Sequence, residues 1–135
     1  MDASFSLRVL IVDDQHDTAN ALATLIGLWG YETDVAYDGL SALDAASVKP
    51  PDVVLLDLGL PGMDGYEVAR QLRRLPALDT ALLVAISGHG QEADVQRCKE
   101  VGIDSHFLKP MDPDELQKVL AKAEILGREQ RQLAC

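Results

Sequence analysis

Three aspartates, a serine and a lysine stand at the ends of short apolar runs. Asp13 and Asp14 follow Leu7 to Val12, Asp57 follows Val53 to Leu56, Ser87 and Gly88 follow Ala81 to Ile86, and Lys109 and Pro110 follow Phe107 and Leu108. If these runs are parallel strands, all five residues meet at one edge of one sheet. Three carboxylates gathered there repel one another unless a cation neutralises them, and an all-oxygen set with room for water suits Mg2+ or Mn2+. Taken singly, each residue has a plainer reading. Asp13 and Asp14 suit a helix cap and an acidic first turn, Asp57 a loop acid, Ser87 a turn and Lys109 a solvated surface. Their joint occurrence at four strand ends is what those readings leave unexplained.

The elements that must bring them together can be read from period. Continuous Val, Ile and Leu runs at Leu7–Val12, Val53–Leu56 and Ala81–Ile86, with weaker ones at Asp34–Ala36 and Phe107–Leu108, indicate strands covered on both faces. Helical stretches lie between them. His16 to Trp29 carries Ala19, Leu22, Ala23, Leu25 and Ile26 on one stripe and stops at Gly30. Asp38 can cap a helix holding Leu40, Leu43 and Ala46, which Pro50 and Pro51 bring to an end near Lys49. Asp64 can cap a third, with Met63 placed to staple against Val68; Gln91 to Val101 forms a fourth, closed by Gly102. Asp112 as cap, Pro113 at the first helical position and Glu115 at the third open a fifth, along Leu116, Val119, Leu120 and Ala123. Repeated strand–helix units with right-handed crossovers predict an α/β doubly wound sheet of five parallel strands and five helices. The strand order 2-1-3-4-5 is borrowed from a common doubly wound pattern. Ligands in such sheets bind beyond the carboxyl ends of the strands.

With 135 residues, 47% of them hydrophobic, the chain can bury one core, expected over about residues 7–126 with a polar tail from 127 to 135. Twelve Lys and Arg against 22 Asp and Glu give a formal charge of -10, which disfavours direct binding to a phosphate backbone. No apolar run approaches the roughly 20 residues that cross a bilayer. The start MDASFSLRVLIVDD runs into acid where a signal peptide would need its cleavage site, so a cytoplasmic location is expected. Two cysteines, Cys98 and Cys135, make neither a disulfide framework nor a metal-ligand spacing.

The segments VLIVDD, PDVVLLDLGLPGMDGYEVARQLR, VAISG and FLKP, in that order, resemble the receiver domain of two-component response regulators, the CheY-like fold, from about Leu7 to about Leu126. It is also similar to receivers attached to hybrid sensor histidine kinases, notably at SGHGQEADV and His106. The resemblance implies that Asp57 is the phosphoacceptor, that Asp14 is a direct Mg2+ ligand and Asp13 acts largely through water, and that the Gly59 backbone carbonyl is the third protein ligand. It further implies that the Ser87 hydroxyl turns toward the phosphoryl group, that the Gly88 N–H donates to it, and that Lys109, followed by a cis peptide at Pro110, is its cationic partner. These roles are chemically coherent. A carboxylate can attack phosphorus in line to form an acyl phosphate, while Mg2+ and an ammonium stabilise charge on the equatorial oxygens. The product adds about -1.5 to -2 of charge, to which a mobile hydroxyl and lysine can respond. The implied partners are a histidine kinase or histidine phosphotransfer protein, and the implied signalling surface is the fourth helix, fifth strand and fifth helix, where a homodimer could also form. The expected protein is no enzyme beyond its own phosphorylation and dephosphorylation, and is either a single-domain regulator or part of a larger chain.

Two positions depart from the family pattern. His106 stands three residues before the lysine, where Tyr or Phe is usual, and strand alternation puts Phe107 on the opposite side. With no partner visible in the sequence, a coupling role for His106 and a plain surface role weigh equally. Gly59 lacks the side chain that many members place near the phosphoryl group, so a more open site mouth is expected. His16 and His89 are read as surface residues, and Trp29 and Tyr31 as packing at the end of the first helix. Two other functions suit this fold class: a flavodoxin-like electron carrier, against which stands DDQHD where a Ser, Thr and Gly-rich phosphate loop is needed, and a Mg2+-dependent aspartyl phosphohydrolase, whose DxD pattern is missing at Asp57-Leu58-Gly59.

Overall fold

The computed structural model describes residues 6–88 and 94–134, with side chains described as far as residue 127. Five strands and five helices alternate: β1 (Arg8–Val12), α1 (His16–Leu28), β2 (Glu32–Ala36), α2 (Gly39–Val48), β3 (Val53–Asp57), α3 (Gly65–Arg73), β4 (Leu82–Ser87), α4 (Val95–Val101), β5 (Ser105–Leu108) and α5 (Pro113–Ala134). A single 3-10 turn, Pro76–Leu78, lies between α3 and β4. The strands form one parallel sheet in the order β2-β1-β3-β4-β5, as expected.

Alternation along the three inner strands sorts the core into two layers. Leu10, Val12, Val54, Leu56, Leu83 and Ala85 face one side, where α2, α3 and α4 cover them through Ala42, Ala46, Val68, Leu72, Cys98 and Val101. Val9, Ile11, Val53, Leu55, Val84 and Ile86 face the other, under Ala19 and Ile26 of α1 and Leu116 and Leu120 of α5. Every residue of β3 is buried because it lies at the centre of the sheet and between both layers. Truncating Leu55, 1% exposed, would cost about 2–5 kcal/mol.

The capping signals act as the residue types suggest. Asp38 accepts a hydrogen bond from the Ser41 N–H at 2.7 Å, Asp64 from the Tyr66 N–H at 2.9 Å and Asp112 from the Asp114 N–H at 3.0 Å. Met63 and Val68 converge over Gly39, where a Cβ would lie 2.8 Å from a Val68 methyl. Gly102 ends α4 at φ +87, in the left-handed region that glycine enters without strain. α4 differs from expectation. Asp94 has extended backbone and caps the Arg97 N–H at 3.1 Å, so the helix starts at Val95. Residues 91–93, assigned to that helix from sequence, and His89 lie outside the described residues. The polar stretch after residue 127 continues α5 to Ala134. Among the described residues no helix is long and apolar enough to cross a membrane.

Candidate functional site

Parallel register brings the strand ends to one edge. Val12 lies beside Leu56, and Leu56 beside Ala85, so the residues that follow β1, end β3 and end β4 sit in one row. Asp13 and Asp57 are 3% and 6% exposed, and Asp14 is the most exposed of the three acids. One carboxylate oxygen from each lies within 4.8 Å of the others. Asp13 accepts from the Gln15 N–H at 2.9 Å and Asp57 from the Gly59 N–H at 2.8 Å. Their other oxygens accept from the Lys109 ammonium at 2.9 and 3.2 Å.

One ammonium thus serves two buried carboxylates. Burial pushes the Asp57 carboxyl above its ordinary range, with Asp13 adding repulsion; the Gly59 N–H and Lys109 oppose the shift without cancelling it. Burial would pull Lys109 down, but the hydrogen bond and charge of Asp13, together with Asp57, hold it above its ordinary value. Among the described residues no protein group donates to the Asp14 carboxylate. An all-oxygen cluster of this kind, short of positive charge and with one acid unpaired, fits a divalent ion.

Ser87 ends β4 and is 1% exposed. Its hydroxyl lies 2.7 Å from His106 Nε2 on β5. His106 therefore has the partner that the sequence does not show. Ala85 pairs with His106 across the parallel ladder, which puts Ser87 and His106 on the same face, while Phe107 packs into the opposite layer. Strand parity was the available signal, but only the register between β4 and β5 converts it into a contact. Gly88 follows, half-buried, and the Lys109 N–H donates to the Ser87 carbonyl at 2.8 Å, tying the two strand ends together. The Lys109–Pro110 peptide is cis. His16 stacks on Tyr37 with ring centroids 3.6 Å apart, and Trp29 and Tyr31 pack against the α1 and α5 layer, away from the acids.

The model of the response regulator receiver domain family matches residues 9–121. The chain belongs to this family. As a receiver of two-component systems it is 40% identical over 116 residues to sporulation initiation phosphotransferase F of Bacillus subtilis, covering 85% of this chain and 91% of that protein. It is 35% identical over 120 residues to sensor histidine kinase RcsC of Salmonella typhi, covering 89% of this chain but only 12% of the kinase. The solved structure of chemotaxis protein CheY4 from Vibrio cholerae superposes with a TM-score of 0.80 at 27% identity, over 88% of this chain and 99% of that one. The family match sets aside the flavodoxin-like and phosphohydrolase readings.

Proposed function

We propose that this receiver accepts a phosphoryl group on Asp57 from a phosphohistidine of a histidine kinase or histidine phosphotransfer protein, in a Mg2+-dependent step. The observation that carries the reading is the convergence of Asp13, Asp14 and Asp57 at one strand edge with a single lysine between two of them. Asp14 and Asp57, with Asp13 acting largely through water and the Gly59 carbonyl as a further oxygen, would hold Mg2+ or Mn2+. When bound, the ion supplies charge neutralisation for the transferring group. An Asp57 carboxylate oxygen attacks phosphorus as the nitrogen–phosphorus bond of a donor phosphohistidine, protonated on its other ring nitrogen, breaks; the bonding pair stays on nitrogen, leaving an acyl phosphate on Asp57 and a neutral imidazole on the donor. Lys109, already between Asp13 and Asp57, needs little movement to meet the phosphoryl oxygens. An apolar groove lined by Leu22, Leu25, Met111 and Pro113 opens beside Asp57 and offers a donor protein a surface next to the acceptor.

The hydroxyl of Ser87 is engaged with His106 in this structure, and turning it toward a phosphoryl group would loosen that contact. Phosphorylation would thereby act on His106, and the Gly88 N–H would donate to the same phosphoryl group. The responding face, made by α4, β5 and α5, carries the exposed side chains Val95 and Leu108, and a partner protein or a second copy would dock there. Chemistry confined to its own phosphorylation and dephosphorylation, and a cytoplasmic place, accord with this reading. Acetyl phosphate with Mg2+ should add one phosphate to the wild type and none to Asp57→Asn. Label persisting in the variant would move the acceptor elsewhere.

A further inference from the structure

We propose that Asp64, Tyr66, Asp94 and Arg97 form a clasp that makes the N-terminus of α4 follow the state of the acceptor, by a route separate from Ser87. The inference rests on the phosphoacceptor reading of Asp57. The four residues close a ring between the caps of two helices. Asp64 caps α3 through the Tyr66 N–H at 2.9 Å, and the Tyr66 hydroxyl accepts from the Asp94 N–H at 2.9 Å. Asp94 caps α4 through the Arg97 N–H at 3.1 Å. Arg97 returns to the start: its guanidinium carbon lies 4.3 Å from the centre of the Tyr66 ring, and its Nη2 donates to Asp64.

At its other end the ring meets the acceptor strand. A Cβ on Gly65 would lie 2.7 Å from Leu58 Cα and 3.1 Å from the Asp57 carbonyl oxygen, so the first turn of α3 rests directly on the backbone that follows Asp57. A shift there cannot leave Gly65 in place, and the ring passes it to Asp94. Neither cap needs the other for its own helix, since Asp64 and Asp94 each hold a backbone N–H locally. The contacts from Tyr66 and Arg97 add something else: they join two helix starts into one unit. Arg97 and Asp64 are about half exposed, and such an ion pair adds little by itself. Tyr66, 9% exposed and packed in the core, makes the link stiff.

Cys98 supplies the measurement. It sits on α4, 6% exposed, and the only other cysteine in the sequence is Cys135. In a Cys135→Ser background, the rate at which a disulfide reagent modifies Cys98 should change roughly three- to tenfold when Mg2+ and beryllofluoride, standing in for the phosphoryl group, are added. Tyr66→Phe, which removes the hydroxyl and with it a hydrogen bond to the Cys98 thiol, and Arg97→Ala, which leaves that thiol contact in place, should both bring the ratio, taken within each variant with and without beryllofluoride, close to one while acetyl phosphate still phosphorylates Asp57 at the wild-type rate. Arg97→Lys, which keeps a cation over the ring, should restore part of the response. A wild-type ratio preserved in both Tyr66→Phe and Arg97→Ala would overturn the clasp, as would a ratio of one in wild type with beryllofluoride demonstrably bound by fluorine NMR. Failure of the wild type both to bind beryllofluoride and to take phosphate would instead overturn the acceptor reading, and the clasp with it.

Discussion

At the amino end of the sheet, Arg73 donates to the carbonyls of Leu78 and Ala81 at 2.8 and 2.7 Å, to that of Gly102 at 3.0 Å and to Asp104 at 2.7 Å. Asp104 in turn accepts the Leu83 N–H at 2.9 Å. One cation meets one anion, and the surrounding backbone groups are satisfied. At the carboxyl end, Asp13 and Asp57 share the single ammonium of Lys109, and Asp14 beside them has no donor among the described residues. The first cluster is balanced and joins α3, β4 and the start of β5; the second is held short of positive charge by the same sheet. A balanced polar cluster stabilises the fold, whereas an unbalanced one stores an electrostatic cost that a bound cation or protonation relieves.

The largest break in this comparison should come from Arg73→Ala. It orphans the carbonyls of Ala81 and Gly102, while that of Leu78 keeps the Ala81 N–H, and leaves Asp104 without its cation; the expected cost is about 2–3 kcal/mol of stability, discounted for the partial exposure of the pair. Denaturant unfolding measures it, and the initial rate of phosphorylation by acetyl phosphate should not change. A large loss of that rate in a folded variant would mean that the two ends are not independent.

Removing charge at the other end should act on ligand binding. Asp14→Ala should weaken Mg2+ affinity by at least roughly tenfold, since even residues that only support a metal ligand cost that much. Undiminished affinity in calorimetric titration would refute the assignment of Asp14 as a ligand.

Asp57→Asn should do the reverse of Arg73→Ala and stabilise the metal-free protein, by about 1 kcal/mol at neutral pH, because it removes a buried charge from an acid cluster. The sign with pH follows from the raised carboxyl of Asp57. The folded protein holds that proton more tightly than the unfolded chain, so wild-type stability falls as pH rises from the ordinary carboxylate range through the raised value, and then levels. The variant should lack this component. Parallel stability curves for the two proteins in a chelator between about pH 4 and 8 would rule out burial of an ionised Asp57 as a cost.

The smallest effect should come from the hydrogen bond between Ser87 and His106. His106→Phe removes one partner of a buried hydroxyl, for about 0.5–1 kcal/mol, and frees Ser87. The amide shifts that beryllofluoride induces in β5 should then shrink in Ser87→Ala but persist in His106→Phe. Equal shifts in wild type and Ser87→Ala would make the hydroxyl a bystander.

The two ends also differ in how far the sequence revealed them. Asp13, Asp14, Asp57, Ser87 and Lys109 are legible because each ends an apolar run, and a parallel sheet sends all such residues to one edge whatever the details of packing. Arg73 and Asp104 gave no such signal, since a charged residue on the polar side of a helix and another in a turn look solvated until the elements pack. For β5 only Phe107 and Leu108 stand out in the sequence because Ser105 and His106 are polar, which an edge strand paired on one side allows. β2 was weak for the same reason, with Thr33 and Asp34 in an edge position.

By itself the sequence determined the alternation of strands and helices, the caps Asp38, Asp64 and Asp112, and the set of residues at the carboxyl edge, because these follow from local period and local hydrogen bonding. The strand order came by analogy, and the structure bears it out. Only the tertiary structure decided that Ser87 meets His106, that Lys109 sits between Asp13 and Asp57, and that Tyr66 reaches the cap of α4. Each of those contacts joins residues 19 or more positions apart. Such pairings depend on strand register and on how closely helices approach, and these are set by the packing of the whole core, not by any segment of the chain.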